Sequence, residues 1–288
     1  NPGGNVDFSM SRPETGFVDM NGDGYLDHVF SDSDSSIQTA LNRTGRTNLL
    51  KKVSRPLGAT MTLHYGRDGN TIDYPPSRWN LSCLEVFDGH AGDGVDLRVK
   101  TYSYENPVFE PNERESYGYR NVVEETRIGT ASGPVYRAVT RTFHNTTFYN
   151  KGLLESEVLR DGDSNVFTET VNTYDLFDIH TGATLAVPNS TIATVFPQII
   201  RSDTRYYEGQ PTPGKSTFQT FEYDEYGNVT TAFDAGDLGT GDDLTVTRRY
   251  FTDPANYIVD KPDRAIAAGD SGELVRTEFA IEPGTGDV

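Results

Sequence analysis

The sequence predicts an all-β fold of antiparallel strands and hairpins, and three observations carry that prediction. Residues Phe221 to Thr231 write a strand, a tight turn and a second strand: Phe221 and Tyr223 alternate with Glu222, while Gly227 and Asn228 supply the positive φ that closes a turn. Sixteen Tyr and fifteen Phe stand against a single Trp, a composition that favours strands over helices. No long stretch keeps apolar residues at helical spacing.

A chain of 288 residues can bury a substantial core as one large domain or two small ones. Its 43 Asp and Glu against 25 Lys and Arg give a formal charge of −18. That balance argues against nucleic acid, whose phosphates demand cations, and no basic patch invites an anionic membrane. No apolar run is long enough to span a bilayer. The single cysteine, Cys83, has no partner for an internal disulfide, and its neighbours Leu81 and Leu84 predict a buried thiol. The chain begins Asn-Pro-Gly-Gly without Met or an apolar signal segment, and reads as a processed piece or an excised fragment.

The first element is acidic. Asp19, Asn21 and Asp23 place oxygen side chains at alternate positions, Gly24 permits a sharp bend, Tyr25 can offer its backbone carbonyl, and Asp27 returns four residues after Asp23. An all-oxygen set of this spacing suits calcium, and Mg²⁺ less well because it keeps its waters. A helical EF-hand needs a bidentate Glu at the twelfth loop position, which here is Phe30. Gly16 to Val18 and His28 to Phe30 read as strands on either side, so the expectation is a calcium loop joining strands. The competing reading is an Asp/Asn/Gly turn without an ion. In wording the loop resembles the Asp-x-Asn-x-Asp-Gly-x-x-Asp loops of FG-GAP and related β-propeller repeats.

Polar, acidic Ser31 to Ser36 follows, then Asn42 to Arg46 without an apolar residue, and a boundary is expected there. Asn48 to Val53 leads through a Pro-Leu-Gly turn into a strand on which Met61, Leu63 and Tyr65 alternate. The segments Gly66 to Asn70 and Asp88 to Gly94 are Gly-rich, but neither opens a helix that could hold phosphate, and both read as loops.

From Asn48 onward the wording resembles the segment after the propeller in B subunits of tripartite insecticidal (Tc) toxin complexes. The Leu-Gly-Ala-Thr stretch from Leu57 to Thr60 carries the likeness, followed by Tyr102 and Tyr104, then Tyr117 to Val122. Tyr223 and Asp224 before Gly227 and Asn228 resemble one YD (Rhs) repeat unit. Weaker echoes set Thr shortly before an aromatic residue: Thr101 with Tyr102 and Tyr104, Thr173 with Tyr174, Thr204 with Tyr206 and Tyr207, and Thr247 with Tyr250. Stacked degenerate hairpins are how repeat architectures bury their apolar faces.

This resemblance implies two regions, residues 1–41 as the end of an FG-GAP-like propeller with its calcium loop, and residues 42–288 as an Rhs/YD-type β-shell segment. It implies a secreted or extracellular scaffold that encloses a toxic polypeptide cargo alongside other toxin-complex subunits. The family's self-cleaving Asp-Pro-x-Gly setting has no counterpart, since Asp253 and Pro254 are followed by Ala255 and Asn256. Metal ligands are expected at Asp19, Asn21, Asp23, the Tyr25 carbonyl and Asp27, and catalytic residues nowhere. The five histidines, His28, His64, His90, His144 and His180, are scattered and read as strand or turn residues. Two other readings stay open: a calcium-dependent carbohydrate-binding or adhesive module using exposed aromatics, and a secreted hydrolase using a carboxylate pair.

Overall fold

The computed structural model describes residues 15–22, 24–33, 35–44, 48–92, 94–185, 194–237 and 239–288. Three strands, β1 (Thr15–Val18), β2 (Asp27–Ser33) and β3 (Ser36–Ala40), make an antiparallel sheet in that order. The polar stretch after the acidic loop is therefore the β2–β3 hairpin, with Ser33 opposite Ser36.

All later strands join one antiparallel sheet. They are β4 (Lys52–Ser54), β5 (Thr60–Gly69), β6 (Ser77–Phe87), β7 (Leu97–Glu110), β8 (Glu115–Ile128), β9 (Val135–Phe143) and β10 (Leu154–Asp161). There follow β11 (Val166–Asp178), β12 (Thr184–Leu185), β13 (Val195–Tyr206), β14 (Lys215–Tyr223), β15 (Val229–Ala235), β16 (Leu244–Asp253), β17 (Ile258–Gly269) and β18 (Gly272–Glu278). Each strand lies beside its chain neighbours from β4 to β18, except that β12 pairs only with β11, which then meets β13. The expected Phe221–Thr231 hairpin is β14 and β15. Among the described residues the one helical element is a 3₁₀ turn at Pro254–Asn256.

One loop assignment falls to long-range pairing. Gly66 to Gly69, Gly-rich and polar, continue β5 because each faces a residue of β6, from Gly66 opposite Asn80 to Gly69 opposite Ser77. In the run from Asn48 that leads into the Pro-Leu-Gly turn, the strand is Lys52–Ser54, which faces Thr60–Thr62.

Among the described residues, no second layer covers the large sheet over most of its extent. The chain exposes 18755 Å², whereas a compact monomer of its mass exposes about 12,000 Å². Among the described residues only eight apolar side chains are buried, and most strand residues are half-buried on both faces. Burial concentrates where loops fold back. The turn at residues 70–76 seats Tyr74, 1% exposed, against the Tyr119 ring at 5.8 Å, and Tyr104 packs on Tyr119 at 5.0 Å. On the loop after β9, buried Asn145 donates from Nδ2 to the Tyr119 carbonyl at 2.8 Å and accepts from the Gly152 N–H at 2.7 Å. Cys83 is buried as expected, and desolvation pushes its thiol pKa up, away from reactivity.

Candidate functional site

The acidic loop closes on itself through backbone donors. Asp19 Oδ2 accepts from the Gly24 N–H at 2.7 Å, and Gly24 has φ +74, a conformation glycine adopts without steric cost. Asp27, fully buried at the start of β2, accepts from the Met20 N–H at 2.9 Å and the Asn42 N–H at 2.7 Å. The Asn42 bond, with those of Met20 and Asn21, holds the Asp27 carboxyl below the usual carboxylate range against the opposing effect of burial. Asp27 thus ties the loop to the chain leaving β3. Asp23 lies outside the described residues.

The donor chemistry fits a hard cation. Each carboxylate oxygen has two lone pairs, so accepting one N–H does not close Asp19 or Asp27 to a metal. The loop also leans on the large sheet, where Arg67 donates from Nη2 to the Gly22 carbonyl, with Ser77 Oγ at 3.3 Å from the same oxygen. Arg67 is held by Nε–H donation to Ser77 Oγ at 2.8 Å. Sequence reasoning passed over Arg67 because its segment read as a loop.

A second constellation repeats along the large sheet. Tyr104 donates its hydroxyl to the Leu81 carbonyl at 2.9 Å, Tyr174 to Leu154 at 3.1 Å, Tyr223 to Ile199 at 2.9 Å and Tyr250 to Val229 at 3.1 Å. In every case the acceptor belongs to the preceding strand of the meander and stands just before an extra, bulged residue: Ser82, Glu155, Ile200 and Thr230. In every case, too, the ladder between the two strands has ended three residues before the tyrosine, at Thr101, Val171, Thr220 and Thr247. Tyr65 repeats the device, three residues past Thr62, with its hydroxyl 3.0 Å from the Leu50 carbonyl. A bulge disrupts the ladder, and a carbonyl left without a ladder N–H needs another donor. The phenol supplies it, joined at Leu154 by Asn172 Nδ2 at 3.0 Å. Cross-strand register puts all five tyrosines on one face of the sheet. Burial raises the phenol pKa of Tyr104, Tyr174 and Tyr223, so they remain protonated donors.

Three of these tyrosines, Tyr104, Tyr174 and Tyr250, are among the aromatic echoes singled out in the sequence, and Tyr223 stands in the YD-like unit itself. Tyr207 is not of the set, since its hydroxyl goes to Glu169 Oε2 at 3.0 Å. One repeat went unread. Asp224 accepts from the N–H groups of Tyr226 and Asn228, both at 2.9 Å, and from Asn228 Nδ2 at 2.8 Å. Asp161 does the same for Asp163, Asn165 and Asn165 Nδ2 at 2.9, 2.8 and 3.0 Å. The shared Asp-x-x-x-Asn spacing was the available signal, hidden because Ser164, at φ 70, takes the place of Gly227, at φ 86. Among the described residues no three His, Cys, Asp or Glu side chains converge as a metal cluster.

The sequence profile of the insecticide toxin TcdB middle/N-terminal region matches residues 3–152. The chain belongs to that family. No curated protein is matched. Solved structures share the fold. A crystal structure of TcdB2-TccC3-Cdc42 superposes with a TM-score of 0.60 at 13% identity, covering 88% of this chain and 16% of that one. TcdB2-TccC3-TEV gives 0.60 at 14% identity over 91% and 17%. The Photorhabdus luminescens Tc holotoxin pore gives 0.58 at 13% over 90% and 17%. The chain therefore spans about a sixth of the length of these relatives. Among the described residues no helix is long and apolar enough to cross a membrane.

Proposed function

We propose that this TcdB-family segment is wall: part of a secreted, Rhs/YD-type β-shell that encloses a toxic polypeptide within a Tc-type complex, with no bond-breaking chemistry of its own. The observation that carries the reading is the single-layered meander, which exposes 18755 Å². A sheet that buries so little by itself suits a barrier whose faces meet other material on one side and solvent on the other. The tyrosine row supports it, because each hydroxyl ties a strand to its predecessor and stiffens a layer that no second sheet backs among the described residues.

Residues 1–41 are proposed to end a propeller-like unit and residues 42–288 to belong to the shell. The acidic loop is proposed to bind one calcium ion through Asp19, Asn21, Asp23, the Tyr25 carbonyl and Asp27, fixing the end of that first unit. The test is electron microscopy of a longer protein containing this segment. An enclosed cavity bounded by this sheet is expected; a solid module without a cavity would overturn the wall reading and favour an adhesive module.

A further inference from the structure

Along the rim where β6 turns into β7, β8 into β9, and β10 into β11, apolar and basic side chains gather on the tyrosine-bearing face. Val95, Ile128, Tyr136 and Phe167 are exposed there, Tyr136 at 65%. Tyr136 sits between two adjoining hollows of about 260 and 310 Å³, the first also lined by Val95, Arg98 and Ile128, the second by Arg137 and Phe167. Both aromatics are bulged residues. Tyr136 is the extra residue of β9 between Val135 and Arg137, and Phe167 that of β11 between Val166 and Thr168. Bulges re-aim side chains, and two of them here bring rings to one rim.

The arginines decide what such a surface would take. In a chain with 43 acidic residues, Arg98 and Arg137 are exposed and have no ion pair or hydrogen bond among the described residues. The acid closest in register is engaged by its own turn: Asp161 faces Arg137 directly, yet its carboxylate accepts the Asp163 and Asn165 N–H groups and Asn165 Nδ2 and makes no ion pair with Arg137. Unpaired guanidinium groups beside exposed aromatics are the composition of protein-binding hot spots, and the guanidinium fork matches a carboxylate.

We infer that this rim docks an acidic, apolar segment of a partner polypeptide, its carboxylates on Arg98 and Arg137 and its apolar side chains in the two hollows beside Tyr136. The inference goes beyond the wall reading and stands whether or not the sheet encloses a cavity. The probe is a short fluorescent peptide alternating Glu with Leu and Phe, titrated with the 288-residue chain and followed by anisotropy. Binding is expected, weakening at least about tenfold in Arg98→Ala/Arg137→Ala and in Tyr136→Ala, with Arg78→Ala unchanged and melting curves confirming that all variants fold. A version of the peptide with Lys for Glu should not bind. Equal binding of the Lys peptide, no effect of the double substitution, preference for heparin over the peptide, or a salt-sensitive dimer that the double substitution dissolves would each overturn the proposal, the last in favour of a second copy of this chain.

Discussion

Tyr223 donates its phenolic hydroxyl to the carbonyl of Ile199 across 2.9 Å, three residues past Thr220, where the ladder between β13 and β14 ends. The same arrangement joins Tyr104 to Leu81, Tyr174 to Leu154 and Tyr250 to Val229. Removing one hydroxyl leaves the ring and its packing in place but strands a part-buried carbonyl. Tyr223→Phe and Tyr250→Phe should each cost about 1 kcal/mol, read as a lower urea midpoint; Tyr174→Phe should cost less, because Asn172 Nδ2 also donates to the Leu154 carbonyl at 3.0 Å. No change in either of the first two variants would show that water satisfies these carbonyls equally well.

Two turns of one design carry different residues at their left-handed position. Ser164 holds φ 70 without glycine's freedom, where Gly227 holds φ 86. Ser164→Gly should stabilise the chain by roughly 0.5–1 kcal/mol, because a side chain in the left-handed region carries a steric cost. Gly227→Ala should do the reverse and more, since its Cβ would also come within 3.1 Å of the Phe196 ring. Thermal melting of the two variants checks the opposite signs; a fall in both would mean that the Ser164 hydroxyl matters more than its backbone.

Asp23 and Asp27 should separate the ion from the loop. Added calcium is expected to raise the melting temperature of the wild-type chain by mass action. Asp23→Ala should remove that rise. Asp27→Ala should lower the melting temperature even in chelator, because it strips the Met20 and Asn42 N–H groups of their acceptor. If chelator changes nothing in the wild type, the loop is a turn alone.

Acid should weaken the same corner of the molecule. The folded pKa of Asp27 is depressed, chiefly by the Asn42 N–H, so between the folded and unfolded values the unfolded chain binds the extra proton. Its contribution is complete above the unfolded value of about 4 and is lost as pH falls below that toward the folded one. In chelator, urea midpoints measured from neutral to acid pH should fall more steeply for the wild type than for Asp27→Asn. Parallel curves would assign the acid sensitivity elsewhere.

Much of the strand content was legible because it is local. Phe221 to Thr231 carries its own alternation and its own turn residues, and it forms the expected hairpin. The strands flanking the acidic loop were visible for the same reason. Gly66 to Gly69 were not, because glycine and charge speak for a loop until β6 arrives to pair with them. In the acidic loop, the oxygen spacing was legible, but there was no sign that Asp27 is buried and bound to a backbone amide fifteen residues away.

Alternation, turn chemistry and charge are properties of neighbouring residues, so an antiparallel, hairpin-rich, acidic chain with Thr spaced before Tyr could be read directly from the order of the residues. Which of those tyrosines lock a strand depends on the folded sheet. Thr204 and Tyr207 have the same spacing as Thr220 and Tyr223, yet Tyr207 meets a carboxylate while Tyr223 meets a stranded carbonyl. The difference is not in the motif. It lies in where a bulge ends the pairing with a strand some twenty residues earlier, and the register of a long-range ladder is set by the whole sheet at once.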